Sequence, residues 1–118
     1  MTYQKGDIVE IYFKLPNQGN PKPHPIVIIS HEDVYHQDYY YIGVMLTQST
    51  HIDDFSFEIT KEMVTNHNGK YSQARCHLIT NFEDTHIVPN AHSNKMKQSA
   101  VNELIAFINV ITFDFPLE

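Results

Sequence analysis

The sequence predicts a mainly β domain: a small, curled antiparallel sheet with one amphipathic helix packed on it near the C-terminal end. Short runs rich in Val, Ile, Tyr and Phe recur between turn signals from Gly6 to Pro89. From Met96 onward the apolar residues change period to a spacing of three and four. No internal repeat, low-complexity tract or linker divides the 118 residues, so the whole chain, 1–118, reads as a single domain.

Gly6-Asp7 signals a turn, and Ile8 to Phe13 follows as the first strand. Lys14 to Pro25 holds four of the six prolines and Gly19, and is expected to be a long, partly stiffened loop rather than a strand or helix. Loops of about twelve residues are uncommon in small domains and are more often functional. Ile26-Val27-Ile28-Ile29-Ser30 is a continuous β-branched run that predicts a strand buried on both faces. Ser30 to Asp38, acidic and histidine-containing, is its outgoing loop. Tyr39 to Thr47 is the next strand, with Gly43 marking a bulge or tight bend.

Phe55-Ser56-Phe57-Glu58-Ile59 alternates cleanly, placing Phe55, Phe57 and Ile59 on one face. Asn66 to Lys70 is a strong turn signal, and Tyr71 to Ile79 resumes strand character. Ile87-Val88-Pro89 gives a short last strand stopped by its proline. Met96, Ala100, Val101, Leu104, Ile105, Ile108 and Ile111 form the helix stripe, capped by Ser93 or Asn94, with Pro116 beyond it.

Composition narrows the function. Eight Lys and Arg against fourteen Asp and Glu give a formal charge of −6, and Arg75 is the only arginine. Such a chain has no basic stripe for coating duplex phosphates, although a local phosphate site needs only a few well-placed donors. Cys76 is the single cysteine, so an intrachain disulfide scaffold is excluded. Charged residues interrupt the first twenty positions, and no apolar run approaches the ~18 residues of a membrane span. The default is a cytoplasmic protein with no membrane association.

Eight histidines invite a metal reading. His31-Glu32 and His36 have the wrong spacing for a metalloprotease helix, and no Cys-x-x-Cys or His-x-His occurs. Most of these histidines read as ordinary surface residues, and neither a metal nor another cofactor is expected. Cys76 lies inside a strand and reads as a small core residue rather than an activated thiolate. The same alternation places Arg75 and His77 together on the opposite face. A general base beside a guanidinium suits phosphoryl transfer, since metal-free RNA cleavage needs a base, an acid and positive charge on the phosphoryl oxygens. Arg and His on an exposed sheet face are also compatible with simple solvation.

The order of motifs carries further information. Gly6-Asp7-Ile8-Val9, a long loop, His24-Pro25 entering Ile26 to Ser30, Val44 to Ser49, Phe57-Glu58-Ile59, Gln73-Ala74-Arg75-Cys76-His77 and a C-terminal helix together resemble the PemK/MazF family of toxin endoribonucleases. The resemblance implies an SH3-like antiparallel β-barrel of the CcdB/PemK/MazF kind with a C-terminal helix, a homodimer, cleavage of single-stranded RNA without a metal, and a cognate antitoxin. The family's basic residue before the second-strand proline, usually arginine, falls at His24. Its hydroxyl falls at Leu46 or Thr47, of which Thr47 can hydrogen-bond to phosphate. An Arg-Cys-Asp run of one branch reads Arg75-Cys76-His77 here. Histidine at position 24 removes a permanent charge and a bidentate fork but can act as a general acid. His24 and His77 would then exchange protons while Arg75 and Thr47 hold the phosphate. Aromatic stacking of bases is assigned to Tyr12, Phe13 or Phe55. The alternative is a catalytically weak or inactive barrel that serves as a binding module for protein or nucleic acid.

Overall fold

The computed structural model describes residues 3–14, 16–17, 19–67, 71–89 and 94–115. Its elements run β1 (Asp7–Phe13), β2 (Lys22–Ile28), α1 (Glu32–Asp38), β3 (Tyr41–Thr47), β4 (Ser56–Glu58), β5 (Gln73–Phe82), β6 (Asn94–Lys95) and α2 (Gln98–Ile111). The strands form one six-stranded antiparallel sheet in the order β4-β5-β3-β2-β1-β6. The sheet curls into a half-barrel, and the chain beyond β4 joins its two edges. Val64 bridges Met96, the Thr65 N–H donates to the Lys95 carbonyl at 2.9 Å, and the Lys97 N–H donates to the Met63 carbonyl at 2.7 Å. The β6 edge is thereby covered instead of left as an open pairing template.

Alternation divides the buried side chains into two clusters. Ile8, Val27, Val44, Leu46, Ala74 and Cys76 pack under α2, which contributes Ala100, Val101, Leu104 and Ile108. Val9, Ile11, Ile26, Ile28, Tyr41 and Phe82 form the second cluster. Strand β2 therefore faces apolar surroundings on both sides, as its unbroken β-branched run predicts. Burial of each of Leu104 and Ile108 contributes about 1.5–3 kcal/mol, which holds α2 against the sheet. Gly6 adopts a φ of 99°, and a Cβ there would come within 2.7 Å of the Met96 carbonyl oxygen. Only glycine suits that turn.

Several expectations are corrected. The proline-rich segment is partly strand: β2 begins at Lys22, and Pro23 and Pro25 pair with Tyr12 and Glu10 of β1. The reason lies in the direction of the missing N–H groups. Ile29, of the same parity, donates its N–H toward β3 at Ile42, but β2 pairs with β3 only over Ile26–Ile28. The two prolines thus direct their donorless nitrogens to an edge that has no partner strand.

The stretch expected to be a loop after β2 contains α1, capped by His31, whose Nδ1 accepts from the Asp33 N–H at 3.1 Å. Glu32 and Asp33 in its first turn and His36 in its last suit the helix dipole. Tyr39 does not begin β3 but closes α1 in the left-handed conformation, with φ 63°. Gly43 is not the bulge. It admits the Ile26 side chain, which an added Cβ would meet at 2.7 Å, whereas the irregularity falls between Val44 and Leu46.

Ile87 makes only an isolated bridge to Ile11, and the last strand is Asn94–Lys95. Asn94 does not cap α2. Lys97 occupies that position without a side-chain bond, while Asn94 ties Thr65, Asn66 and Tyr71 to the sheet edge. The other cap expected from sequence, Ser93, and the helix-stopping Pro116 lie outside the described residues.

Candidate functional site

The unpaired edge of β2 opens the site. Where the prolines end the β2–β3 ladder, His24 faces Met45, Leu46 and Thr47 across a pocket of about 320 Å3. Its remaining walls are Ser49 and His51 from the loop after β3, and Gln73, Arg75 and Leu78 from β5. His24, Thr47 and Arg75, far apart in the chain, thus line one cavity. His77 is not among the lining residues. It is exposed and lies tilted against Phe55, with ring centroids 4.7 Å apart and 42° between the ring planes.

The bulge explains this placement. Between their paired positions β3 advances two residues, from Leu46 back to Val44, while β5 advances five, from Ala74 to Ile79. Ala74 and Cys76 face the core under α2, and so does Ile79, which reverses the parity. Alternation therefore breaks after Cys76. Leu78 takes the pocket position that regular alternation would give to His77.

Gln73 is the one buried polar side chain among the described residues, 1% exposed. Its Nε2 donates to the carbonyl of Ser49 at 2.9 Å and to that of His51 at 2.6 Å. Its Oε1 accepts from Arg75 Nη1 at 2.9 Å. One amide thus fixes both the loop and the arginine. Arg75 donates further from Nη1 to Asp53 Oδ1 at 3.0 Å and to Ser56 Oγ at 3.1 Å, and from Nη2 to Asp53 Oδ2 at 2.7 Å. Asp53 occupies the end-on fork of the guanidinium. The side-on edge, Nε–H and the second Nη2 hydrogen, has no protein acceptor among the described residues.

The Arg75 hydrogen bonds, aided by the Phe55 N–H, hold the Asp53 carboxyl well below the usual carboxylate range. The only arginine is consequently locked in place and its charge is balanced. Thr47 Oγ accepts from the Ser49 N–H at 3.1 Å, which leaves its hydroxyl hydrogen for another acceptor.

The opposite wall differs. His24 Nε2 is buried without a hydrogen-bond partner among the described residues, and its ring meets Phe13 edge-on at 6.4 Å. A buried polar atom left unpaired costs about 1–3 kcal/mol, so this wall of the pocket carries a polar group that the folded chain alone does not satisfy. Cys76 is fully buried, and burial pushes its thiol up to about 11, the reverse of thiolate activation. Among the described residues no group of three or more His, Cys, Asp or Glu could hold a metal ion. No helix among them is long and apolar enough to cross a membrane.

Sequence reasoning missed Asp53, Gln73 and His51. Gln73 lies two residues before Arg75, so the same-face rule that joined Arg75 to His77 also reaches it. Asp53 and His51 lie in an irregular turn, where one sequence gives no pairing.

Comparison with known proteins completes the picture. No curated protein matches the chain. Among solved structures, a mycobacterial endoribonuclease in complex with its cognate antitoxin shares the fold at TM-score 0.72 and 9% identity, over 99% of this chain and 100% of that one. A MazE-MazF complex from Deinococcus radiodurans gives 0.71 at 9% identity, over 97% and 98%. MazF alone from the same organism gives 0.69 at 10% identity, over 96% and 98%. These likenesses establish the curled sheet with its C-terminal helix as a shared fold. The model of the PemK-like, MazF-like toxins of type II toxin-antitoxin systems matches residues 4–109, and the chain belongs to that family.

Proposed function

We propose that this protein is a toxin-type endoribonuclease that cleaves single-stranded RNA by metal-independent acid/base chemistry, leaving a 2′,3′-cyclic phosphate and a 5′-hydroxyl. The convergence of His24, Thr47 and Arg75 on one pocket carries this reading. A scissile phosphate would meet the side-on edge of Arg75, whose two N–H groups match two phosphoryl oxygens. Because Asp53, Ser56 and Gln73 already fix the guanidinium, little reorganisation opposes its stabilising charge on the phosphorane. The Thr47 hydroxyl positions the phosphate. His24, whose Nε2 is buried and unpaired in the ligand-free fold, turns its ring into the pocket and takes the 2′-hydroxyl proton.

His77, packed against Phe55 outside the pocket lining, is assigned with that ring to unpaired bases flanking the cleavage point rather than to proton exchange. A cognate antitoxin, a homodimer and a cytoplasmic setting accompany the reading. The mycobacterial and Deinococcus complexes support the antitoxin, since those proteins are seen with theirs.

The test is incubation of the purified protein with mixed-sequence RNA in EDTA. The wild type cleaves, and Arg75→Ala cleaves about 100- to 1000-fold more slowly. Intact RNA with the wild type overturns the enzyme reading in favour of a binding module.

A further inference from the structure

A second histidine lines the pocket, one that neither strand alternation nor the family motif indicates. His51 lies in the irregular segment between β3 and β4, yet its backbone is anchored. Its carbonyl accepts the 2.6 Å bond from the buried Gln73, and the Ser49 carbonyl accepts the amide's other bond. The same amide holds Arg75, so the loop that bears His51 and the arginine are fixed relative to each other. His51 lines the pocket with His24 and is exposed to solvent.

Resting on the endoribonuclease reading above, we propose that His51 is the general acid of the reaction, partnered by His24 as base. The 2′-oxygen gives its proton to His24 Nε2 and attacks phosphorus, and the P–O5′ bond breaks. The departing 5′-oxygen takes a proton from the protonated His51 ring. The two imidazoles finish in exchanged protonation states, and water restores them. This division of labour follows from burial. The base needs a nitrogen free of other partners, which His24 Nε2, buried and unpaired, provides once its ring turns to the pocket. The acid must be reprotonated at each turnover and must release a departing strand, which an exposed ring on the loop permits.

Chemical rescue of the leaving group tests the assignment. The preferred cleavage site is first mapped on mixed-sequence RNA, and a short oligonucleotide is then made with sulfur replacing the bridging 5′-oxygen at that site. Thiolate leaves without protonation, so loss of the acid is masked while loss of the base is not. His51→Ala and His51→Gln are expected to cleave the oxygen substrate about 100-fold or more slowly and the sulfur substrate near the wild-type rate. His24→Ala is slow on both. Wild-type speed on the oxygen substrate, or equal impairment on both substrates by both His51 variants, overturns the acid role. Failure of the wild type on both substrates instead overturns the endoribonuclease reading itself.

Discussion

The two walls of the pocket are built on opposite terms. On the β5 side, Asp53, Ser56 and Gln73 hold the guanidinium of Arg75, and Gln73 satisfies all three of its partners from a fully buried position. On the β2 side, His24 Nε2 is buried with nothing to bond among the described residues. One wall is fixed in the absence of ligand, with only the side-on edge of Arg75 left open, and the other carries a nitrogen that nothing in the fold satisfies. A site that stabilises a transition state benefits from both. Donors held in place add no reorganisation cost, and an unpaired atom makes its bond only when the reacting group arrives.

Predictions follow from removing the difference. The largest effect belongs to Gln73→Leu, which removes one acceptor of Arg75 Nη1 and the shared donor of two loop carbonyls. With Asp53 and Ser56 still accepting from Arg75 and the loop open to water, unfolding stability in urea should fall by about 1–3 kcal/mol. A loss below about 1 kcal/mol would mean that the wall is not held by this amide. A smaller effect is expected from Asp53. Its folded-state carboxyl is held low by Arg75, so its contribution is present above the ordinary aspartate range and is lost as pH falls through that range and below. Asp53→Asn should flatten the urea midpoint between pH 6 and pH 3 relative to the wild type. Superimposable curves would show that the clasp does not contribute to stability, as its exposure to solvent allows.

The same contrast explains what could be read from the sequence. The strands, the doubly buried Ile26 to Ile29 run and the α2 stripe were legible because burial imposes period two or 3.6 on the residues themselves. Prolines 23 and 25 concealed the start of β2, since their tolerance depends on which edge lacks a partner strand. Helix α1 was missed because no buried residue gives its seven residues a stripe.

At the site, His24, Thr47 and Arg75 could be named from motif order, and strand alternation correctly sends Cys76 inward. The place of His77 depended on a bulge between β3 and β5 that no local pattern announces. The Asp53 clasp and the Gln73 anchor are long-range pairings, visible only once the loop is folded onto β5.

The proposed mechanism requires that His24 Nε2 be left unpaired for the reaction and not for the fold. His24→Phe tests it most directly, because a ring of similar shape replaces the unpaired nitrogen. Urea unfolding and RNA cleavage are to be measured on the same preparation. Stability equal to the wild type or up to about 1 kcal/mol higher is expected, together with loss of cleavage by about 100-fold or more. Cleavage at the wild-type rate by a folded His24→Phe protein would contradict the mechanism.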